Sequence, residues 1–266
     1  MKDGFIKVAA GTPDVQVADC EFNAAEIIKM VREMEAEGAR VMVFPELCIT
    51  AYTCGDLFWQ ENLLEEAKVQ LMRIAEETAD VDAIIFVGLP LEYKGKLYNV
   101  AAGLNHGEIL GFVPKTYLPN YNEFYEARYF TSGEDVDGTV TIRRSEYGLH
   151  HDEEMTDEDV EFGLEAEVEV LEEEDSFEEL EEIDEEPDYI DEDETEEFDE
   201  VDVPISSNIL FICQEMPKLK IAAEICEDLW VPNPPSVGHA YHGANLIVNL
   251  SASDEVVGKD SYRKSL

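Results

Sequence analysis

The run Ile221-Ala222-Ala223-Glu224-Ile225-Cys226-Glu227-Asp228-Leu229-Trp230 constrains this chain most, because it carries one cysteine to the end of an apolar stretch and then turns polar. The residues before Cys226 suit a buried strand. Glu227, Asp228 and the following Pro232, Pro234 and Pro235 turn the backbone into a loop at a sheet rim. A thiol placed there is held by rigid backbone and open to substrate. Two other apolar runs end on a charged residue: Val41-Met42-Val43-Phe44-Pro45 leads into Glu46, and Ile109-Leu110-Gly111-Phe112-Val113-Pro114 leads into Lys115. In α/β folds such ends gather on one side, where sites form.

Around these runs the hydrophobic period alternates. Phe5 to Ala10 reads as a first strand, and Ile27, Ile28, Val31 and Met34 recur at helical spacing through Cys20 to Glu37, with Gly38 as the stop. A strand at Val41 to Phe44 precedes a helix over Glu61 to Glu77, whose Leu64, Ala67, Leu71 and Ile74 share one face; Ala83 to Leu89 is a third strand. Lys94-Gly95 and His106-Gly107 then mark tight turns of a meander. Further on, Asn208 to Cys213 and Leu219 to Cys226 form a strand pair, followed by a short helix near Ser236 to His242 and a strand at Asn245 to Leu250. The predicted class is α/β, a mixed sheet with helices on its outer face, and the length allows one large domain or two small ones.

Charge divides the chain unevenly. Of its 63 acids, 30 fall in residues 151–200, where there is no Lys or Arg; the other 216 residues carry 33 acids and 18 bases. The expectation is a globular protein with an acidic, disordered insertion loop, placed at residues 134–204, since self-repulsion and scarce aromatics oppose collapse. Nucleic acid is excluded as a partner, because no clustered Lys and Arg are available to displace counterions. The five cysteines have no C-x-x-C spacing and are odd in number, which points to a reducing cytoplasm rather than a disulfide framework or zinc site. No signal peptide is expected, and no run approaches the ~18 apolar residues of a membrane span. His239 and His242 lie three apart, but without a third ligand nearby no metal site is assigned.

An isolated thiol ionises near pH ~8.5, so Cys226 needs a base. Glu46 suits that role, and Lys115 suits the stabilisation of developing negative charge. Three segments carry a family resemblance: Val43-Phe44-Pro45-Glu46-Leu47, Val113-Pro114-Lys115-Thr116-Tyr117-Leu118-Pro119 and Ile225-Cys226-Glu227-Asp228-Leu229-Trp230. They resemble the three catalytic motifs of the nitrilase (carbon-nitrogen hydrolase) superfamily. Within it the chain is most similar to the N-terminal glutaminase domain of glutamine-dependent NAD synthetase, through Tyr52-Thr53-Cys54-Gly55-Asp56-Leu57, Leu118 to Glu126, and Asn249-Leu250-Ser251-Ala252-Ser253.

That resemblance implies a four-layer αββα sandwich with Glu46 as base, Lys115 as charge stabiliser and Cys226 as nucleophile. It further implies a glutamine pocket lined by Tyr52 and Tyr121, with Glu227 on the substrate α-amino group and Ser253 and Lys259 at its polar end. Lys259 stands where some relatives have Arg, and a lysine cannot grip a carboxylate bidentately. Glu46 and Lys115 are 69 positions apart, as in the family, but Lys115 to Cys226 spans 111. The excess matches the acidic stretch, and a longer surface loop is cheap in closure entropy. Relatives also continue past the position of Leu266, through more strands and an ATP-binding synthetase domain with a Ser-Gly-Gly phosphate loop. The resemblance thus implies a single, partial domain over residues 1–266, a C-terminally incomplete sandwich without cofactor, ATP and deamido-NAD belonging to the synthetase domain. It implies glutamine as substrate, a synthetase partner receiving ammonia, and a homo-oligomer. The alternatives are another amide or carbamoyl substrate, or a truncated, non-catalytic interaction module.

Overall fold

The structure, a computed structural model, describes residues 5–143, 164–171, 200–214, 216–254, 259, 261 and 264. Strand β1 (Val8–Ala10) leads to helix α1 (Cys20–Ala36), which begins where the Asp19 side chain accepts the Phe22 N–H at 3.1 Å. After β2 (Val41–Val43), helix α2 (Glu61–Glu77) has the bounds its apolar spacing predicts. A meander follows, β3 (Ile84–Tyr93), β4 (Lys96–Asn105) and β5 (Glu108–Pro114). Then come β6 (Asp137–Arg143), β7 (Ala166–Val170), β8 (Glu200–Ser206), β9 (Ile209–Cys213), β10 (Lys220–Ile225), α3 (Pro235–Tyr241) and β11 (Leu246–Leu250).

These strands make two sheets, ordered β1-β2-β3-β4-β5-β8-β6 and β11-β10-β9-β7. The first begins parallel through β1, β2 and β3, then runs antiparallel through β4 and β5; β8 joins β5 in parallel. In the second, β10 is parallel to β11 and antiparallel to β9. Side-chain alternation then builds the layers. Ile85, Val87 and Leu89 of β3 pack with Ile27, Val31, Leu71 and Ile74 of the helices, while Ile84 and Phe86 face Phe211, Ile221 and Ile225 of the second sheet. Each such fully buried side chain contributes roughly 1.5–3 kcal/mol. Helix α3 lies on β10, with its Ser236 N–H donated to the buried Glu224 carboxylate at 3.3 Å. The layers are helix, sheet, sheet, helix: an αββα sandwich.

The two sheets approach closely at Gly103, where an added Cβ would lie 2.5 Å from the Phe211 ring. Phe211 meets Phe86 edge to face with centroids 5.0 Å apart. Among the described residues no helix is long and apolar enough to cross a membrane.

The stretch 134–204, expected as one insertion loop, contains strands where it is described. Its first residues form β6, its last form β8, and β7 pairs with β9 in the second sheet. The acids obscured a period of two: Glu167 and Glu169 alternate with Ala166, Val168 and Val170, and Asp202 alternates with Val201 and Val203. Most of the acidic block, and the disorder expected of it, lies outside the described residues.

Candidate active site

Glu46, Lys115 and Cys226 each follow a strand end. Phe44 donates its N–H to Phe86 at 2.9 Å, carrying the register of β2 into the loop that holds Glu46. Gly88 makes room for that loop, since an added Cβ would sit 2.4 Å from the Leu47 nitrogen and 2.6 Å from the Glu46 Cα. These neighbours are backbone and cannot rotate away. Gly88→Ala is therefore expected to cost about 1–3 kcal/mol in stability by overpacking and, by moving Glu46, to lower turnover by about 100-fold. Thermal melts beside amide-hydrolysis rates check it; a variant with wild-type turnover would show that the contact is not needed.

Lys115 is held in place by its own N–H, donated to Asn99 O at 2.8 Å, and by the Gly133 N–H on its carbonyl at 2.8 Å. Its side chain is 0% exposed and its ammonium donates to Glu46 Oε2 at 2.8 Å and Glu126 Oε1 at 2.7 Å. Burial disfavours the ammonium, but Glu46 and Glu126 outweigh it and hold the Lys115 pKa above the usual lysine range. The carboxylate of Glu46 is further fixed by Asn99 Nδ2, 2.9 Å from Oε2, and by the Ala252 N–H, 3.1 Å from Oε1.

Cys226 stands one residue past β10 with φ +47, a left-handed backbone that few residues with a Cβ adopt. Its thiol receives the Ser251 hydroxyl at 3.4 Å and lies within the electrostatic reach of the Glu46 carboxylate. Burial, reinforced by the Glu46 charge and opposed by Lys115, pushes the Cys226 pKa up to about 12. A shift in that direction favours the neutral thiol, so any nucleophilic use of this sulfur calls for a general base.

Three further residues complete this cluster without having been singled out from the sequence. Glu126 shares the Lys115 ammonium and accepts the Tyr52 hydroxyl at 2.7 Å. Burial raises its pKa and Lys115 opposes that rise. Asn99 and Ser251 are the others. Glu126 and Ser251 lie inside segments that resemble the family, yet only folding shows that Glu126 reaches Lys115 and Ser251 reaches the sulfur.

Of the residues expected at a substrate pocket, Tyr52 belongs to the Glu126 network, and Tyr121, 50% exposed, donates its hydroxyl to Glu227 at 2.8 Å. Burial, then Glu227, pushes the Tyr121 pKa up to about 12. Phe124 lies against both tyrosines, with ring centroids 6.5 Å from Tyr52 and 5.9 Å from Tyr121. An aromatic wall thus runs from Glu126 to Glu227. Tyr52 and Glu126 also line a cavity of about 130 Å³ with Leu47, Thr53 and Phe130. Ser253 is half-buried two residues past Ser251. Lys259 is paired with Asp254, donating to its carboxylate and, at 3.0 Å, to its carbonyl. His239 is buried with Nε2 3.0 Å from Ser207 O, whereas His242 is exposed; no group of three metal-ligating side chains occurs among the described residues.

A sandwich that brings a thiol, an ammonium and a carboxylate together from the ends of its strands, with a second carboxylate from a loop, has the architecture of carbon-nitrogen hydrolases. The family model described as carbon-nitrogen hydrolase matches residues 7–263, and the chain belongs to that family. Within the family it is 31% identical over 263 residues to the glutamine-dependent NAD(+) synthetase of Mycobacterium tuberculosis, which covers 99% of this chain and 30% of the relative. It is 28% identical over 249 residues to the Aquifex aeolicus enzyme of the same name, again covering 94% of this chain and 30% of the relative. The chain thus spans about 30% of the length of these curated relatives. Its fold matches the crystal structure of a glutamine-dependent NAD(+) synthetase from Cytophaga hutchinsonii with TM-score 0.67 and 24% identity, covering 98% of this chain and 33% of that one. It also matches a Nesterenkonia amidase bearing the acetamide moiety of fluoroacetamide at its active-site cysteine, with TM-score 0.56 and 15% identity over 96% of this chain and 68% of that one.

Proposed function

We propose that this chain is a glutaminase, which hydrolyses the side-chain amide of glutamine through a Cys226 thioester and supplies ammonia to a synthetase. The observation that carries this reading is the buried cluster in which the Lys115 ammonium touches Glu46 at 2.8 Å, with the charges of both acting on the Cys226 thiol beside them. Sulfur attacks the amide carbon and its proton passes to Glu46. The carbonyl electrons move to oxygen, where the Lys115 charge stabilises them at a transition-state gain of roughly 3 kcal/mol. Collapse of this adduct expels the amide nitrogen, which takes the proton from Glu46 and leaves as ammonia. Water, deprotonated by the same carboxylate, then cleaves the thioester and releases glutamate.

Glutamine, rather than a simple amide, is favoured by the Glu227 and Tyr121 pair beside the nucleophile: a carboxylate held by a phenol hydroxyl suits an α-ammonium group. Ser253 and Lys259 are assigned to the other polar end of the substrate, which requires Lys259 to leave Asp254. In this reading ATP and deamido-NAD are used by a synthetase segment that receives the ammonia, the amide hydrolysis itself needs no cofactor, the assembly is a homo-oligomer, and the compartment is the reducing cytoplasm. Ammonia release measured with glutamine, asparagine and propionamide tests the assignment. Glutamine is expected to lead in kcat/KM by at least about 100-fold, the scale of one well-built polar recognition site. A preference for propionamide would instead assign a general amidase, and no release from any amide would assign a non-catalytic interaction module.

A further inference from the structure

Asp228 is 2% exposed and performs no step in that reaction. Its Oδ1 accepts the N–H groups of Thr116 at 3.1 Å and Tyr117 at 2.7 Å, and its Oδ2 accepts the Ile225 N–H at 2.9 Å. Thr116 directly follows Lys115, and Ile225 directly precedes Cys226. Lys115 leaves a strand of the larger sheet and Cys226 one of the smaller, so a single carboxylate joins the backbones that carry the ammonium and the thiol. Cys226 also needs such a clamp for itself, because a left-handed backbone on a residue with a Cβ persists only where its surroundings over-determine it.

We propose that Asp228 is a positioning residue for amide hydrolysis, setting the Cys226 sulfur against the Lys115 ammonium across the interface between the sheets. The inference rests on the reading of Cys226 and Lys115 given above. Three N–H donors on two oxygens require the ionised carboxylate. An amide, or a protonated carboxyl, turns a hydrogen toward at least one of the donors, and the clamp opens on that side. Burial raises the Asp228 pKa to about 7 against the opposing N–H bonds of Tyr117 and Ile225 and the Lys115 charge, while Glu224 acts with burial. Besides Lys115 and Glu224, the titratable residues beside it are Tyr117, on the segment bonded to its Oδ1, and Cys226 and Glu227 of its own turn. The carboxylate is therefore complete above about 7 and lost as pH falls through it. The sign for stability is opposite. A carboxyl whose folded pKa exceeds its unfolded value takes up a proton more readily in the folded state, so acidification through this group stabilises the fold while it disables the site.

Ammonia release from glutamine, measured against pH for the wild type and Asp228→Asn together with thermal melts, tests the role. The wild type is expected to lose kcat on the acid side of about 7. Asp228→Asn should fold, lose about 100-fold in kcat, hold KM within about threefold and lack the acid limb. Asp228→Glu, which keeps the charge, should recover part of the loss. Wild-type turnover in Asp228→Asn overturns the proposal. Should that variant fail to fold, the wild-type profile decides: an acid limb in kcat with constant KM supports the clamp, and a flat kcat overturns it. A wild type that releases no ammonia from any amide overturns the reading of Cys226 itself, and Asp228 falls with it.

Discussion

Cys226→Ala is expected to lower ammonia release from glutamine by about a millionfold, the scale of removing a nucleophile from a site whose groups act as a unit. Little else should change. Alanine keeps the Cβ and hence the same left-handed backbone, so the strain at φ +47 is neither relieved nor increased. The loss is one sulfur from a buried position, and the Ser251 hydroxyl that donates to it can turn elsewhere. The melting temperature should therefore stay within a few degrees of the wild type, as for the loss of about 1 kcal/mol. Cys226→Ser is expected to be nearly as inactive, because a hydroxyl is far harder to ionise than a thiol in the same hollow. Ammonia assays with coupled melts check both variants, and residual turnover near the wild-type rate in Cys226→Ala would remove the thioester from the mechanism.

Lys115→Met should damage the fold far more than either change at Cys226, and it also removes a charge worth roughly 3 kcal/mol to the transition state. Lys115 is 0% exposed in its side chain and stands between Glu46 and Glu126 at 2.8 and 2.7 Å. Methionine fills the volume but leaves two buried carboxylates with no cation between them. Breaking a buried ion pair in this way costs about 3–5 kcal/mol. The two carboxyls cannot both remain ionised, so one takes a proton in the folded state that it would release in the unfolded chain. The folded variant then binds more protons than the unfolded one at neutral pH, and its stability falls as pH rises and recovers on acidification. Denaturant melts of Lys115→Met at acidic and neutral pH read that slope directly. Stability equal to the wild type at neutral pH would mean that the lysine does not carry the charge balance of the site.

Several elements were legible because their cause is local. Helix α2 has its predicted bounds, Glu61–Glu77, since a helix with one apolar face announces itself by spacing alone. The turns at Lys94-Gly95 and His106-Gly107 were legible for the same reason, each joining antiparallel strands of the meander. Strands β6, β7 and β8 were not legible. Outward positions of β7 and β8 are filled with acids, and those of β6 with Asp137, Thr139, Thr141 and Arg143, so composition outweighed the alternation that sends Val140, Val168 and Val203 inward.

The site divides along the same line. The run ending in Cys226, and those ending in Glu46 and Lys115, could be read as strands giving way to loops, since burial of a strand is written in consecutive residue types. That their ends meet, and how each side chain is held there, depends on the stacking of two sheets whose facing residues are far apart in the chain. Glu126 on the far side of Lys115, Asn99 on Glu46, Ser251 on the sulfur and the Asp228 clamp are all products of that stacking. So is the close approach permitted by Gly88. Local periodicity determined the strands, the helices and the candidate residues at their ends; only the tertiary packing decided which polar groups would be shut away from water together, and hence which of them had to satisfy one another.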